Sequence, residues 1–201
     1  VTAQKREELL QDVPIVLTAL SEQTLEENGV RDIKDLAQVV PGLTVTSTQN
    51  EAITTARIRG IGTVGDNLGL ESSVGVVIDG VYRPRNGVSF GDLGEVQRIE
   101  VLKGPQGTLF GKNTSAGVIN VITRRGTDSG WAAEVGYGDY DTTKASLSGG
   151  FTSGRTELDF GAAWTDSQGF PTRTTGDVDR GFHNLNTTAQ LRTGVGAADI
   201  S

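Results

Sequence analysis

The 201 residues include no cysteine and no methionine. Without cysteine there can be no disulfide and no thiolate metal site, and the redox compartment cannot be read from the chain. Without methionine the initiator is missing, so a processed or trimmed N-terminus is expected; no basic-then-apolar leader is visible. Proline is scarce at 5 residues and aromatics make up 5 %, against 28 glycines, a balance that suits short strands and tight turns better than a helical bundle. No run of about 18 apolar residues exists, which excludes a membrane-spanning helix. A closed β-barrel is then the only spanning structure left, because every backbone polar group in lipid must be satisfied internally. The net charge of −7 lacks the basic face that phosphate binding needs, so no nucleic-acid partner is expected.

The one histidine, His183, reads as a solvated loop residue without metal-ligating or base-orienting neighbours. Asp and Glu are scattered, and no two form an acid–base couple at defined spacing; Glu95 and Glu100 read as strand or turn residues. No catalytic residue, metal or cofactor is expected. Gly60-Ile61-Gly62-Thr63-Val64-Gly65 matches a dinucleotide-binding pattern, with Asp79 at a tempting distance. That chemistry needs a buried strand before the loop and a helix after it, whereas Arg57 and Arg59 occupy the strand and Asp66–Leu70 is a poor helix start. Gly107–Lys112 resembles a P-loop with one residue too few, and Asn113 stands where a magnesium-binding hydroxyl is required.

Along the chain, residues 1–12 read as a polar, mobile segment. Val13–Leu20 is strand-like, and Ser21 offers an N-cap to a helix over Glu22–Glu27 that stops at Asn28-Gly29. Val30, Ile33, Leu36, Ala37 and Val40 keep a 3.6-residue period, which predicts a second helix ended by Pro41-Gly42. Strands are predicted at Leu43–Thr48, Thr55–Ile61 and Val74–Ile78, and Asp79-Gly80 turns the last into Val81–Tyr82. Ile99–Leu102 and Val118–Ile122 are strands joined by a stretch rich in glycine around Pro105. Residues 13–125 thus form an α+β domain, a mixed sheet with short helices, and 126–130 a linker.

From Trp131 the pattern changes to strict alternation. Trp131, Ala133, Val135 and Tyr137 share one face, as do Ala145, Leu147, Gly149 and Phe151, then Leu158, Phe160, Ala162 and Trp164, then Thr187, Ala189, Leu191 and Val195. Four antiparallel strands of roughly 9–11 residues follow, the length a tilted strand needs to cross a bilayer. A water-soluble sheet with one wet face is the alternative; Trp131, Tyr137, Phe151 and Trp164 near strand ends favour an aromatic girdle. Asp139–Asp141 reads as a short loop, Thr152–Arg155 as a turn and Asp166–Asn184 as a long loop. Four strands over 131–201 cannot close a barrel, so the chain is expected to be a fragment of a longer one, with about 18 strands missing from a plugged barrel of about 22.

One stretch is the most specific: Arg98-Ile99-Glu100-Val101, Lys103-Gly104-Pro105, Gly107-Thr108-Leu109-Phe110-Gly111 and Gly117-Val118-Ile119-Asn120-Val121, preceded by Ile58-Arg59-Gly60 and Val77-Ile78-Asp79-Gly80-Val81. This ensemble resembles the plug domain of TonB-dependent outer-membrane receptors, siderophore receptors among them. The resemblance implies an α+β plug followed by the first strands of a transmembrane β-barrel in the bacterial outer membrane, with the plug in the lumen and the N-terminus periplasmic. It implies proton-motive-force-driven import of a scarce nutrient, most often a ferric siderophore. The partners implied are the TonB protein, the ligand and outer-membrane lipid. Val1, Thr2, Ala3 and Gln4 look like the tail of the TonB box, to which TonB adds as a strand. Arg59 and Lys103 fall where the family places basic residues that latch onto barrel carboxylates; solubility of an exposed strand is the simpler role. Three loops imply ligand-facing residues: Asn50, Asp66, Asn67, Glu71, Tyr82, Arg83, Arg85 and Asn86. Arg83 and Arg85 suit an anionic chelate or an acidic sugar, or else pair with barrel acids. A signal-transducing receptor, a carbohydrate or cobalamin importer and, remotely, a nucleotide-binding enzyme are the competing functions.

Overall fold

A computed structural model describes residues 1, 9, 11, 13–30, 32–47, 54–63, 71–83, 96–123, 130–169, 181–195 and 198–200. The chain divides into two compact units, Val1–Thr123 and Arg124–Ser201. In the first unit the strands are β1 (Val16–Ser21), β2 (Leu43–Ser47), β3 (Thr54–Ile58), β4 (Val74–Ile78), β5 (Val81–Arg83), β6 (Val96–Lys103) and β7 (Gly117–Thr123). Among the described residues three short helices join them, α1 (Glu22–Glu27), α2 (Leu36–Val39) and α3 (Gly107–Phe110).

Five strands form one sheet in the order β1-β6-β7-β4-β5, in which β4 and β7 run parallel and every other pair is antiparallel. β2 and β3 make a separate hairpin. The larger core lies on one sheet face, where Leu20, Ile99, Val101, Ile119, Val121, Val74 and Val76 meet Leu25, Ile33, Leu36 and Val40 from the helical segment and Ile58 from the hairpin. Each such fully buried aliphatic side chain contributes on the order of 2 kcal/mol. The opposite face carries a smaller cluster of Val13, Val77, Leu102 and Val118, with Val1, Leu17, Tyr82 and Phe110 packed on it.

Ser21 caps α1 as its sequence predicts, its hydroxyl accepting from the Thr24 N–H at 3.3 Å. The second helix is far shorter than the periodicity implies. Asp32 Oδ1 accepts from the Lys34 and Asp35 N–H groups at 2.7 and 3.0 Å, and Asp35 Oδ2 from the Asp32 N–H at 3.2 Å. These local bonds hold a turn where a helix would begin, yet Ile33, Leu36 and Val40 are still buried. The α3 turn was not expected from its glycine-flanked sequence.

The second unit is an antiparallel meander of β8 (Ala132–Gly138), β9 (Thr142–Ser153), β10 (Thr156–Ser167), β11 (Phe182–Val195) and β12 (Ala198–Ile200). Two expectations change here. A fifth, short strand follows the expected four, and β10 and β11 reach further towards each other than the long loop at Asp166–Asn184 allowed. His183 accordingly stands in β11, opposite Asp166 and in contact with its carboxylate, not in a loop.

Register places Val135, Ala145, Trp164 and Leu185 in one row and Leu147, Ala162 and Thr187 in another, so the alternation read from the sequence lies on a single face. That face is exposed: Val135 is 81 % accessible and Leu185 68 %. On the other face of β10, Thr165 is 5 % and Asp159 9 % accessible. Arg192 donates to Asp159 at 2.8 Å and also to Gln190 on that side. Apolar outside and polar inside is the reverse of a water-soluble sheet and the arrangement a barrel wall requires. Trp131, Phe151 and Phe160 gather at one end of the apolar face, the Phe151 and Phe160 ring centroids 5.5 and 4.9 Å from that of Trp131, where Gly149 leaves room for the indole. Trp164 and Tyr137 lie towards the other end.

Candidate functional site at one end of the sheet

β4 and β7 begin, and β6 ends, at the same edge of the five-stranded sheet, because Val74 and Lys103 both pair with Gly117. Chemistry-bearing residues of the first unit collect at this end. Arg59 follows β3 with φ of 54°, and its N–H donates to Gly42 O at 2.7 Å, which folds the chain over the Pro41-Gly42 turn. The Lys103 amino group donates to Pro41 O at 2.9 Å. Its pKa is lowered first by burial and then by the positive charge of Arg59. The structure thus brings Arg59 and Lys103 together as two like charges, and the acceptor for Lys103 is a neutral carbonyl.

Gly117 makes this crowding possible. A Cβ there would lie 2.3 Å from Leu102 O and 2.7 Å from Ile58 Cδ1, so only glycine lets β3 close onto the sheet beside the cation pair. On the opposite sheet face, the Asn113 amide donates to Tyr82 Oη at 2.9 Å, and Thr114 Oγ1 donates to Gly111 O at 2.7 Å. Lys112 donates to Glu71 at 2.5 Å. This bond holds the Glu71 carboxyl below its usual range and the Lys112 amino group above its own. Thr63 Oγ1 donates to Glu71 O at 2.7 Å and contacts Ser73 Oγ at 3.2 Å, fixing the backbone behind that carboxylate.

Of the ligand-facing residues expected from sequence, Glu71 and Tyr82 come into this polar cluster, and Arg83 is exposed on the edge strand β5. Asn50, Asp66, Asn67, Arg85 and Asn86 lie outside the described residues, as do Thr2, Ala3 and Gln4 of the expected TonB box. Val1 packs on the smaller apolar cluster. Sequence reasoning missed Lys112 and Asn113, which were weighed only as parts of a failed P-loop. Their partners are 41 and 31 residues away, so no local spacing could have revealed them. Glu100, read as an ordinary strand or turn residue, is fully buried in β6. The Gly60–Thr63 turn bridges back onto Ile58, and Gly62 sits where a Cβ would strike Ala56 O at 2.7 Å. Gly62 thus serves close backbone packing onto β3. Among the described residues no group of three or more His, Cys, Asp or Glu could hold a metal ion.

The arrangement has counterparts among known proteins. A family model described as the TonB-dependent Receptor Plug Domain matches residues 9–118. The vitamin B12 transporter BtuB of Vibrio vulnificus is 32 % identical over 163 residues, which cover 75 % of this chain and 26 % of the transporter. The iron-regulated outer membrane virulence protein of Vibrio cholerae is 33 % identical over 147 residues, covering 67 % of this chain and 21 % of that protein. The crystal structure of the ferric yersiniabactin uptake receptor FyuA from Yersinia pestis superposes with a TM-score of 0.71 at 28 % identity, over 89 % of this chain and 29 % of the receptor. The chain therefore spans about a quarter of the length of these relatives. A mixed-sheet unit matched along most of its length by the plug model, followed by strands with their apolar side outward, settles its kinship: this chain belongs to the TonB-dependent receptor family, as plug domain and opening barrel strands of an outer-membrane receptor.

Proposed function

We propose that the chain gates a TonB-dependent importer that takes up a scarce nutrient, a ferric siderophore, using the proton-motive force. The observation that carries this reading is the succession of the two units. A plug-type globule bearing a cation pair is followed directly by strands whose apolar face is exposed, while Asp159 and Thr165 on the other face are buried. In this reading the plug fills the lumen of the barrel and the N-terminal segment, Val1 to Gln4 at its start, hands tension from TonB to the plug by strand addition. Arg59 and Lys103 meet carboxylates of the barrel wall, which would relieve their mutual repulsion. Glu71, Tyr82 and Arg83, with Asn50, Asp66, Asn67, Arg85 and Asn86, face the incoming ligand. The iron assignment draws support from the iron-regulated and ferric-yersiniabactin relatives, and a cobalamin reading draws support from the vitamin B12 transporter.

Uptake decides between them. Receptor-bearing cells and a receptor deletion strain are given radioiron loaded on a catecholate, a hydroxamate or a mixed siderophore, and separately labelled cobalamin. Receptor-dependent, TonB-dependent accumulation of iron, with higher receptor abundance under iron starvation, is the expected result. Accumulation of cobalamin alone would replace the iron reading, and binding without accumulation would favour a signalling receptor.

A further inference from the structure

We propose that Glu100 sets the register of the central strand β6 and thereby the position of Lys103 in the sheet. The stretch Ile99–Leu102 is buried throughout, with Ile99 and Val101 in the larger core and Leu102 in the smaller one. A strand covered on both faces reads as an almost continuous apolar run, so a shift by one residue mostly exchanges one aliphatic side chain for another. β6 also contains the means to shift. Val96 pairs with Thr123 and Arg98 with Ile122, so Gln97 is an extra residue, a bulge at the lower end of the ladder. If that bulge migrated upward, each residue it passed would turn to the other face.

Glu100 makes the two registers unequal. Its side chain is fully buried, directly opposite Asn120, whose amide donates to Oε2 at 3.2 Å. Arg98 Nε donates to Oε1 at 3.0 Å, from the residue immediately above the bulge. After a one-residue shift the carboxylate would point among Ile99's present neighbours, Leu20, Ile119 and Val121 with the helical segment behind them, where those residues are all aliphatic. A carboxylate without partners in such surroundings is strongly disfavoured, and Asn120 would lose its acceptor as well. Buried ion pairs of this kind add little net stability; their best-attested use is to make alternative pairings costly. Lys103, three residues on, would move by one rise of about 3.3 Å and turn away from Arg59. That last consequence rests on the latch reading above, whereas the register assignment does not.

Residues 1–201 contain no cysteine, so a peptide linking positions 101 and 118 or 101 and 119 is an engineered disulfide. In the full receptor, folded in the oxidising periplasm, two pairs are compared by mass spectrometry of non-reduced peptides. Val101→Cys with Ile119→Cys reports the observed register, in which the two residues are directly opposite. Val101→Cys with Val118→Cys reports the shifted one, because those side chains now point to opposite faces. The parent should yield only the 101–119 link. Glu100→Leu should add the 101–118 link, and Glu100→Gln, which keeps the bond to Asn120, should restore 101–119 alone. An exclusive 101–119 link in Glu100→Leu overturns the proposal, as does lost transport without any 101–118 link. If Glu100→Leu does not reach the membrane, Glu100→Ala decides by the same two links. Because the links are read without any ligand, failure of the import reading leaves this result intact.

Discussion

Asp79 and Thr123 stand 44 positions apart in sequence and are joined twice: the Thr123 N–H and Oγ1–H both donate to the Asp79 carboxylate, at 3.0 and 2.7 Å. The Asp79 N–H in turn donates to Val121 O at 3.0 Å, so the turn after β4 clasps the last residues of β7. Asp79 occupies φ of 48°, a conformation that Asp and Asn tolerate better than other side chains. Asp79→Ala should cost about 2 kcal/mol through the lost charged hydrogen bonds. Asp79→Asn should cost less. Hydrogen exchange at the end of β7 checks this: faster exchange at Thr123 is expected in the alanine variant, and unchanged protection there would refute the clasp.

Two glycines should respond very differently to alanine. Gly80, at φ of 82° with open space around it, should lose about 1 kcal/mol from backbone strain alone. Gly117→Ala forces a methyl group against Leu102 O and Ile58, and should cost about 3 kcal/mol or prevent accumulation in the membrane. Equal abundance and equal resistance to unfolding for the two variants would contradict the packing described.

The exposed Glu71–Lys112 pair makes a prediction in pH. Because Glu71 titrates below its usual range in the folded chain, its contribution is present above the ordinary carboxylate pKa and is lost as pH falls through the depressed value. Lys112→Gln should return Glu71 towards the ordinary range, and high salt should weaken the pair. A carboxyl titration followed by NMR that is the same with and without Lys112 would remove this account.

Lys103 has the opposite sense. Its folded pKa lies below the ordinary lysine value, so the folded chain releases the proton first. Stability should therefore rise as pH climbs from the depressed pKa to the ordinary one, where the unfolded chain holds more protons. Chemical unfolding of Lys103→Gln should lack that rise, and under the latch reading the same variant should transport less. A retained rise would assign the effect to another group.

In the barrel strands, Gly149 is the seat of the Trp131 indole, since a Cβ would lie 2.9 Å from the ring. Gly149→Val should displace the ring and change its quenching by brominated lipids, read in a receptor in which every other tryptophan, Trp164 included, is replaced by Phe. No quenching of Trp131 in the parent would argue against a lipid-facing surface.

Much of this was legible in the sequence because the governing interactions are short-range or periodic. Strict alternation from Trp131 onward fixed which face is apolar, and the cap at Ser21 and the turn at Asp79-Gly80 lie where their residue types demand. The second helix misled because Asp32 and Asp35 bond their own backbone, a competition that apolar spacing does not register. Lys112 with Glu71 and Asn113 with Tyr82 are products of topology, as is the burial of Glu100, whose covering becomes visible only once β6 lies between β1 and β7. The length of β11 was underestimated because polar Asn184, Asn186 and His183 look like loop residues, although cross-strand pairing with β10 accommodates them.

The sheet order has a mechanical meaning. The first described strand, β1, lies at the margin and, among the described strands, is bonded to β6 alone, along six residue pairs. The strand that leads out of this unit, β7, lies in the middle with β6 on one flank and β4 on the other. Tension on the N-terminus therefore first meets a strand with one neighbour to leave, while the outgoing end is tied on both sides and clasped by Asp79. The sheet has a loose end and a moored end, and the chain enters by the loose one.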